Sequence, residues 1–249
     1  MSINIGYKEK IMRKIVLIFI LFLAMIGIGV SAASYYQTYL PIVYRPAPTP
    51  TQTPTPPPAV VEVLPNYSWH INNGYLVITG EVQNNTSNYV DLIEITVDIY
   101  NAQGQLIDTN TEYTYLNNAL APGDKTYFMH SLLEPPGWAF FGFEDPTYEV
   151  GGEPAPNLTI FDDSFIWDPI SGDYFLWATV RNDDVESVDY THVIISIYNK
   201  TGTVIDGGYA PLNDEYLLPG LESDFTVIFE GQDFSNVSYR LQADGWRRP

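Results

Sequence analysis

Three histidines, His70, His130 and His192, supply every imidazole in a chain of 249 residues. General-base or imidazole–metal chemistry would have to use one of them. No two stand at metal-ligand spacing, and neither Gly-x-Ser-x-Gly nor His-Glu-x-x-His occurs. His192 falls on the wet side of a predicted strand, and all three read as isolated surface residues. Cysteine is absent, which excludes disulfides, thiol nucleophiles, thiolate metal sites and a lipidated N-terminal cysteine. The 30 carboxylates offer dozens of pairs, so none is marked out as a glycosidase-type dyad. The chain reads as a non-enzyme, with a carboxylate-based hydrolase the weakest of three functional readings.

Two other groups of residues have chemical capacity. Asp162-Asp163 and Asp183-Asp184 with Glu186 cluster near predicted strand ends, and oxygen-rich loops of this kind suit calcium. No EF-hand loop is present, so a structural calcium stands beside the plainer reading of an acidic loop, and no other cofactor is expected. The segment Leu132 to Asp145 carries Pro135-Pro136-Gly137-Trp138-Ala139-Phe140-Phe141-Gly142-Phe143. Trp138, Phe140, Phe141 and Phe143 on a loop would make a platform for a sugar or a protein partner. The same rings could instead fold back over the domain or wedge between two domains, and packing is the preferred expectation.

Acids outnumber bases 30 to 11. Lys8, Lys10, Arg13 and Lys14, with Glu9, precede the first apolar run, which leaves 29 acids against 7 bases beyond Ala33. Such a surface repels phosphate backbones, so nucleic acid is not an expected partner. Ile15 to Val30 is an unbroken apolar or glycine run of 16 residues, followed by Ser31-Ala32-Ala33. A basic flank, an apolar run and a small-residue exit make a secretory signal, and Met12 would itself be a conventional start. An uncleaved anchor is the rival, with Tyr35, Tyr36, Tyr39 and Tyr44 placed for the interface. Either way, residues 1–33 are a signal peptide or anchor, everything after Ser34 is exported, and membrane contact is confined to that segment.

Residues 34–59 form a spacer. Pro46 to Pro58 holds seven prolines in thirteen residues and should extend as polyproline II, spanning about 40 Å at roughly 3.1 Å per residue. A duplication follows. Val90 to Asp108 and Val188 to Asp206 repeat one pattern at an offset of 98 positions. Between Asn66 and Asp108 that offset gives 12 identities in 43 positions, among them Trp69 with Trp167, Asn84 with Asn182, and Tyr100 with Tyr198. After one deletion, Leu120 to Phe128 matches Leu217 to Phe225, each with Pro-Gly where a type II turn wants it. Tyr148-Glu149-Val150 is then paired with Tyr239-Arg240-Leu241, which makes the aromatic segment an insertion of about six residues.

Each copy, 60–152 and 153–249, holds short alternating strands punctuated by turns and no useful helical period. The fold class is all-β, two tandem immunoglobulin-like β-sandwiches. Ile93, Ile95, Val97 and Ile99 should face a core, as should Leu76, Ile78, Gly80 and Val82 in copy one and Tyr174, Leu176, Ala178 and Val180 in copy two. Phe175 and Trp177 point to the other face of their strand, open or covered by the neighbouring domain. Without disulfides, packing of apolar strand faces must hold each domain.

Val97-Asp98-Ile99-Tyr100-Asn101 and Ile195-Ser196-Ile197-Tyr198-Asn199, with the Gly-x-Val-x-Asn, Leu-x-Pro-Gly and Phe signals around them, resemble the FxLYD domain family, Asn replacing the family's Asp. The resemblance implies an immunoglobulin-like sandwich in an exported or membrane-attached bacterial protein and no agreed activity. The leading expectation is a non-catalytic cell-surface protein whose partner is an envelope component, protein or glycan. The alternative is a carbohydrate-binding module using Trp138 and its neighbours.

Overall fold

The structure, a computed structural model, describes residues 60–214, 216–230 and 234–248. The expected targeting segment and the whole spacer lie outside the described residues. The strands belong to one compact unit, Thr55–Pro249, and no helix occurs among the described residues.

Eight strands make the first sandwich: β1 (Val61–Val63), β2 (Ser68–Asn72), β3 (Tyr75–Asn84), β4 (Val90–Asn101), β5 (Leu106–Tyr113), β6 (Lys125–Leu133), β7 (Trp138–Phe143) and β8 (Thr147–Val150). Seven make the second: β9 (Leu158–Trp167), β10 (Tyr174–Asn182), β11 (Ser187–Tyr198), β12 (Val204–Pro211), β13 (Tyr216–Leu217), β14 (Glu222–Phe229) and β15 (Ser238–Arg248). In the first, β3 runs between β6 and the pair β1/β2, while β4 runs between β5 and the pair β7/β8. In the second, β10 lies between β14 and β9, and β11 lies between β15 and the pair β12/β13. The two layouts share one pairing order, with β9 answering to β1 and β2 and β15 to β7 and β8, which is what a copied sequence requires.

The alternation in the sequence explains the cores. Ile93, Ile95, Val97 and Ile99 are all buried, as are Leu76, Ile78 and Val82, and in the second copy Leu176, Ala178, Val180, Val193, Ile195 and Ile197. Each fully buried aliphatic side chain stabilises by about 1.5–3 kcal/mol relative to exposure. Shared polar residues fix the loops. Asn84 Nδ2 donates to the carbonyls of Asn88 and Leu120, and Asn182 Nδ2 donates to those of Glu186 and Leu217. Asn101 Oδ1 accepts from the amides of Gln103 and Gln105, as Asn199 Oδ1 accepts from Thr201 and Thr203. An acceptor oxygen is all this turn asks of its first residue, so Asn serves where a carboxylate would.

The pairing of the last strand corrects the sequence alignment. Phe141 lies opposite Ile99 and Phe143 opposite Val97, the places that Tyr239 and Leu241 hold against Ile197 and Ile195. Phe141 and Phe143 are therefore the counterparts of Tyr239 and Leu241, at the same 98-residue offset. The expected match of Tyr148-Glu149-Val150 to Tyr239-Arg240-Leu241 does not hold, since Val150 pairs with Val90 and Arg247 with Val188. The aromatic segment is not a loop insertion. It is the first half of the closing strand, which in copy one breaks at Glu144-Asp145-Pro146 because proline lacks the N–H that a ladder needs.

Candidate functional site

The outer face of β3 and β6 lies on the outer face of β11 and β12, so these strands are covered on both sides. Val77, Thr79 and Glu81 on β3, and His192, Ile194 and Ser196 on β11, are all buried although they point away from their own cores. Tyr127 is fully buried against Ile194 and Val204, with Tyr115, Leu116, Met129 and Tyr198 around it. Two backbone contacts cross as well: the Val204 amide donates to the Asn66 carbonyl at 2.6 Å, and Ser68 Oγ donates to the Val204 carbonyl at 2.6 Å.

A carboxylate with no solvent exposure sits in this seam. Glu81 Oε2 accepts from Lys125 Nζ at 2.6 Å and from Asn66 Nδ2 at 2.9 Å, while Oε1 accepts from the Tyr198 hydroxyl at 2.5 Å. Arg240 reaches to 3.9 Å of the same oxygen. Tyr198 and Arg240 come from the second sandwich, so the charge is neutralised from both sides. Burial, and then its bond to Glu81, raises the Tyr198 pKa. Burial works most strongly against the charge on Lys125, but the bond to Glu81, the attraction of its charge and the interaction with Tyr198 together outweigh it and the pKa rises.

Asp244 on β15 makes the second polar join. It is completely buried, and its Oδ2 accepts from the backbone amide of Asn117 at 2.6 Å while Oδ1 accepts from Asn118 Nδ2 at 2.6 Å. Trp246 Nε1 donates to the Asn117 carbonyl at 3.1 Å, and His192 Nε2 lies 2.9 Å from the Tyr115 carbonyl. Hydrophobic packing alone therefore does not hold the two halves. At the open end of the seam is a cleft of about 680 Å³ lined by Tyr115, Asn117, Tyr190, His192, Tyr209 and Asp214.

Gly207 shows how closely the faces meet. A Cβ at this position would lie 2.2 Å from the Ile195 carbonyl and 2.7 Å from the Tyr127 ring. Neither atom is a flexible side-chain end, so β12 would have to move. Gly207→Ala is expected to cost about 1–3 kcal/mol of stability, read as a lowered urea midpoint with unchanged slope.

The histidines depart from expectation. His130 and His192 are buried rather than on the surface. His130 shares its side of β6 with Phe128 and Leu132, and its Nδ1 lies 2.6 Å from Asn110 Oδ1 on the facing sheet. Burial lowers its pKa to about 4. His192 does lie on the outer face of β11, but that face is the one the first sandwich covers. The sequence carried a signal for this: the outer positions of β4 read Glu94, Thr96, Asp98, whereas their copies on β11 read His192, Ile194, Ser196, with both carboxylates gone.

Of the four rings singled out on β7, Trp138, Phe141 and Phe143 pack against the core residues Leu76, Ile78, Val97, Ile99 and Leu132. Trp138 meets Trp69 edge-on at 4.9 Å. Phe140 points outward and stacks on Tyr100, with ring centroids 5.1 Å apart and planes 14° apart. The Tyr100 hydroxyl donates to Asp98 at 3.1 Å, which raises its pKa. Among the acids considered for calcium, Asp183 is engaged by Arg181 at 2.6 Å and by Thr159, and Asp184 by Arg247 at 2.8 Å. These bonds, before any other cause, lower both carboxyl pKa values. Asp163 accepts from the Tyr239 hydroxyl, whose pKa burial and that bond push up to about 12.

No known protein family and no curated protein matches the sequence. Among solved structures, an exo-chitosanase of Amycolatopsis orientalis is similar at 14% identity and a TM-score of 0.27, over 76% of this chain and 26% of that one. A red sea bream transglutaminase is similar at 7% identity and a TM-score of 0.25, over 74% of this chain and 29% of that one. The chain thus spans between a quarter and a third of the length of these neighbours, and likenesses this slight carry no argument about activity.

Proposed function

We propose that the chain is a non-catalytic exported protein that presents two joined FxLYD-type sandwiches for envelope or cell-surface interactions. The observation that carries this reading is how its chemistry is divided. Glu81, Asp244, His130 and His192 are each committed to bonds that fasten sheets or halves together, and the buried Asp189 is paired with Arg248. Among the exposed rings, Phe140 on one half and Trp177 on the other stand on outer sheet faces. A basic flank followed by an apolar run at the amino terminus supports export. Cell fractionation with N-terminal sequencing tests it. The protein is expected outside the cytoplasm, where a terminus at Ser34 reports cleavage and an intact segment reports an anchor; recovery from the cytoplasm alone rejects the proposal.

One observation favours a second reading, glycan binding: the exposed Phe140 ring stacks on half-buried Tyr100 beside Asp98, an arrangement that sugars can stack on. Trp138 is turned toward the core, so a glycan array comparing Phe140→Ala with Trp138→Ala separates surface stacking from packing. Glycan binding predicts signal lost in Phe140→Ala. Equal signal from the parent and Phe140→Ala removes this reading.

A further inference from the structure

The contact between the halves joins two faces that are not copies of each other. The outer face of β3/β6 in copy one lies on the outer face of β11/β12 in copy two. Because the halves are copies, each type of face exists a second time and is left uncovered. The repeat of the docked face is the outer side of β10, where Phe175, Trp177 and Thr179 stand 98 positions after Val77, Thr79 and Glu81. The repeat of the receiving face is the outer side of β4, where Thr96, Asp98 and Tyr100 precede Ile194, Ser196 and Tyr198 by the same 98 positions.

Both uncovered faces carry apolar rows. On the first, Ile166, Phe175 and Ile228 are cross-strand neighbours on β9, β10 and β14, with Trp177 in the next row. Ile166 is 51% exposed, Ile228 49% and Trp177 39%. On the second, Tyr100 lies between Leu106 on β5 and Phe140 on β7, and these flanking residues are 55% and 48% exposed. Exposed apolar rows on otherwise acidic sheets mark surfaces awaiting a cover.

We propose that these two faces bind each other between copies of this chain. The β10 face of one molecule covers the β4 face of the next, repeating between molecules the contact made within one. The occupant is a second copy because the join within the molecule shows what a face of the first type docks on, and the chain displays a duplicate of that receiver. The contact is heterologous, so each molecule keeps a free face of each type and association continues past a dimer, into an open series or a larger ring. It is weaker than the internal join, for two reasons. Thr179 stands where the internal join has Glu81, so no buried ion pair anchors it, and no tether raises the local concentration. Asp98 and Glu94 on one face confront Asp224 on the other, so added salt strengthens association by screening like charges.

The test uses residues 55–249, a compact unit with its own cores, in sedimentation velocity up to about 1 mM, the affinity range of weak specific contacts. The parent is expected to give a concentration-dependent ladder of species. Trp177→Glu and Phe140→Glu alter exposed side chains, so each should keep the parental melting temperature and each alone should sediment as a monomer. Mixed, they should form a one-to-one dimer and nothing larger, since one retains an intact β4 face and the other an intact β10 face. A parent that stays monomeric to about 1 mM overturns the proposal. So does a dimer that stops at two and ignores Phe140→Glu, which would join two β10 faces. Capture of a glycan or another protein through Phe140 without self-association assigns the face elsewhere and also overturns it.

Discussion

Glu81→Ala is expected to cost about 3–5 kcal/mol, because it leaves partners on both sandwiches facing an empty dry pocket. Glu81 has no exposed surface, while Lys125 and Arg240 keep 32% and 31% of theirs. Water can thus still reach the two cations when the carboxylate is removed. It cannot easily reach the Tyr198 hydroxyl or Asn66 Nδ2, which lose their acceptor. The loss should also change the form of unfolding. With the seam intact, urea is expected to melt the two sandwiches together; in Glu81→Ala the transition should broaden or divide as each half unfolds on its own. Tyr198→Phe alone should cost about 1 kcal/mol, and the double variant less than the sum, because both remove one bond. Strict additivity would place the two residues in separate interactions and sink the account of the seam.

Acidification is expected to remove about 3 kcal/mol through His130 alone, on the scale of 1.36 kcal/mol per pKa unit. The folded protein holds this ring neutral, with a pKa near 4 caused by burial, whereas in the unfolded chain it titrates near its ordinary value of about 6.5. Between those values the unfolded state binds the extra proton, so stability falls as pH falls. The contribution is complete above about pH 6.5, declines through the interval, and is gone below about pH 4. Urea unfolding at several pH values for the parent and His130→Gln isolates it. The difference in unfolding free energy between the two proteins should shrink as the pH drops and then level. A difference constant from pH 7 to pH 4 would mean that His130 is protonated in the fold or not buried as described.

These two expectations rest on residues that strand periodicity placed differently. Alternation of Ile93, Ile95, Val97 and Ile99 with polar neighbours identifies the core side of β4 without help from the structure, and the same rule finds its copy in β11. The turns were equally readable, because Asn101 and Asn199 make local bonds whose partners lie within a few residues. What alternation does not distinguish is a face left to solvent from a face taken by a neighbouring sandwich. Glu81, Ser196 and His192 look like surface residues until the second layer is in place, and only Val77 and Ile194 beside them and the carboxylates lost from β11 mark the covered faces. His130 was missed for another reason. It shares a side of β6 with Phe128 and Leu132, yet one polar residue in an apolar row is outvoted by its type. Similarity at Tyr148 matches the closing strand to the wrong segment, because the pairing of Phe141 with Ile99 depends on contacts made far away in the chain.

The latch formed by Asp244 and Trp246 lies on β15, the most C-terminal of the strands described. A ribosome delivers the chain from the amino end, so the first sandwich can close once β8 has emerged. Tyr127 and Glu81 must then wait uncovered while about a hundred further residues are made. For that interval the nascent protein shows a greasy face whose acid, Glu81, has Lys125 and Asn66 as partners but lacks Tyr198 and Arg240. Assembly of the mature molecule is therefore paced by translation, and its most aggregation-prone moment falls before its last strand exists.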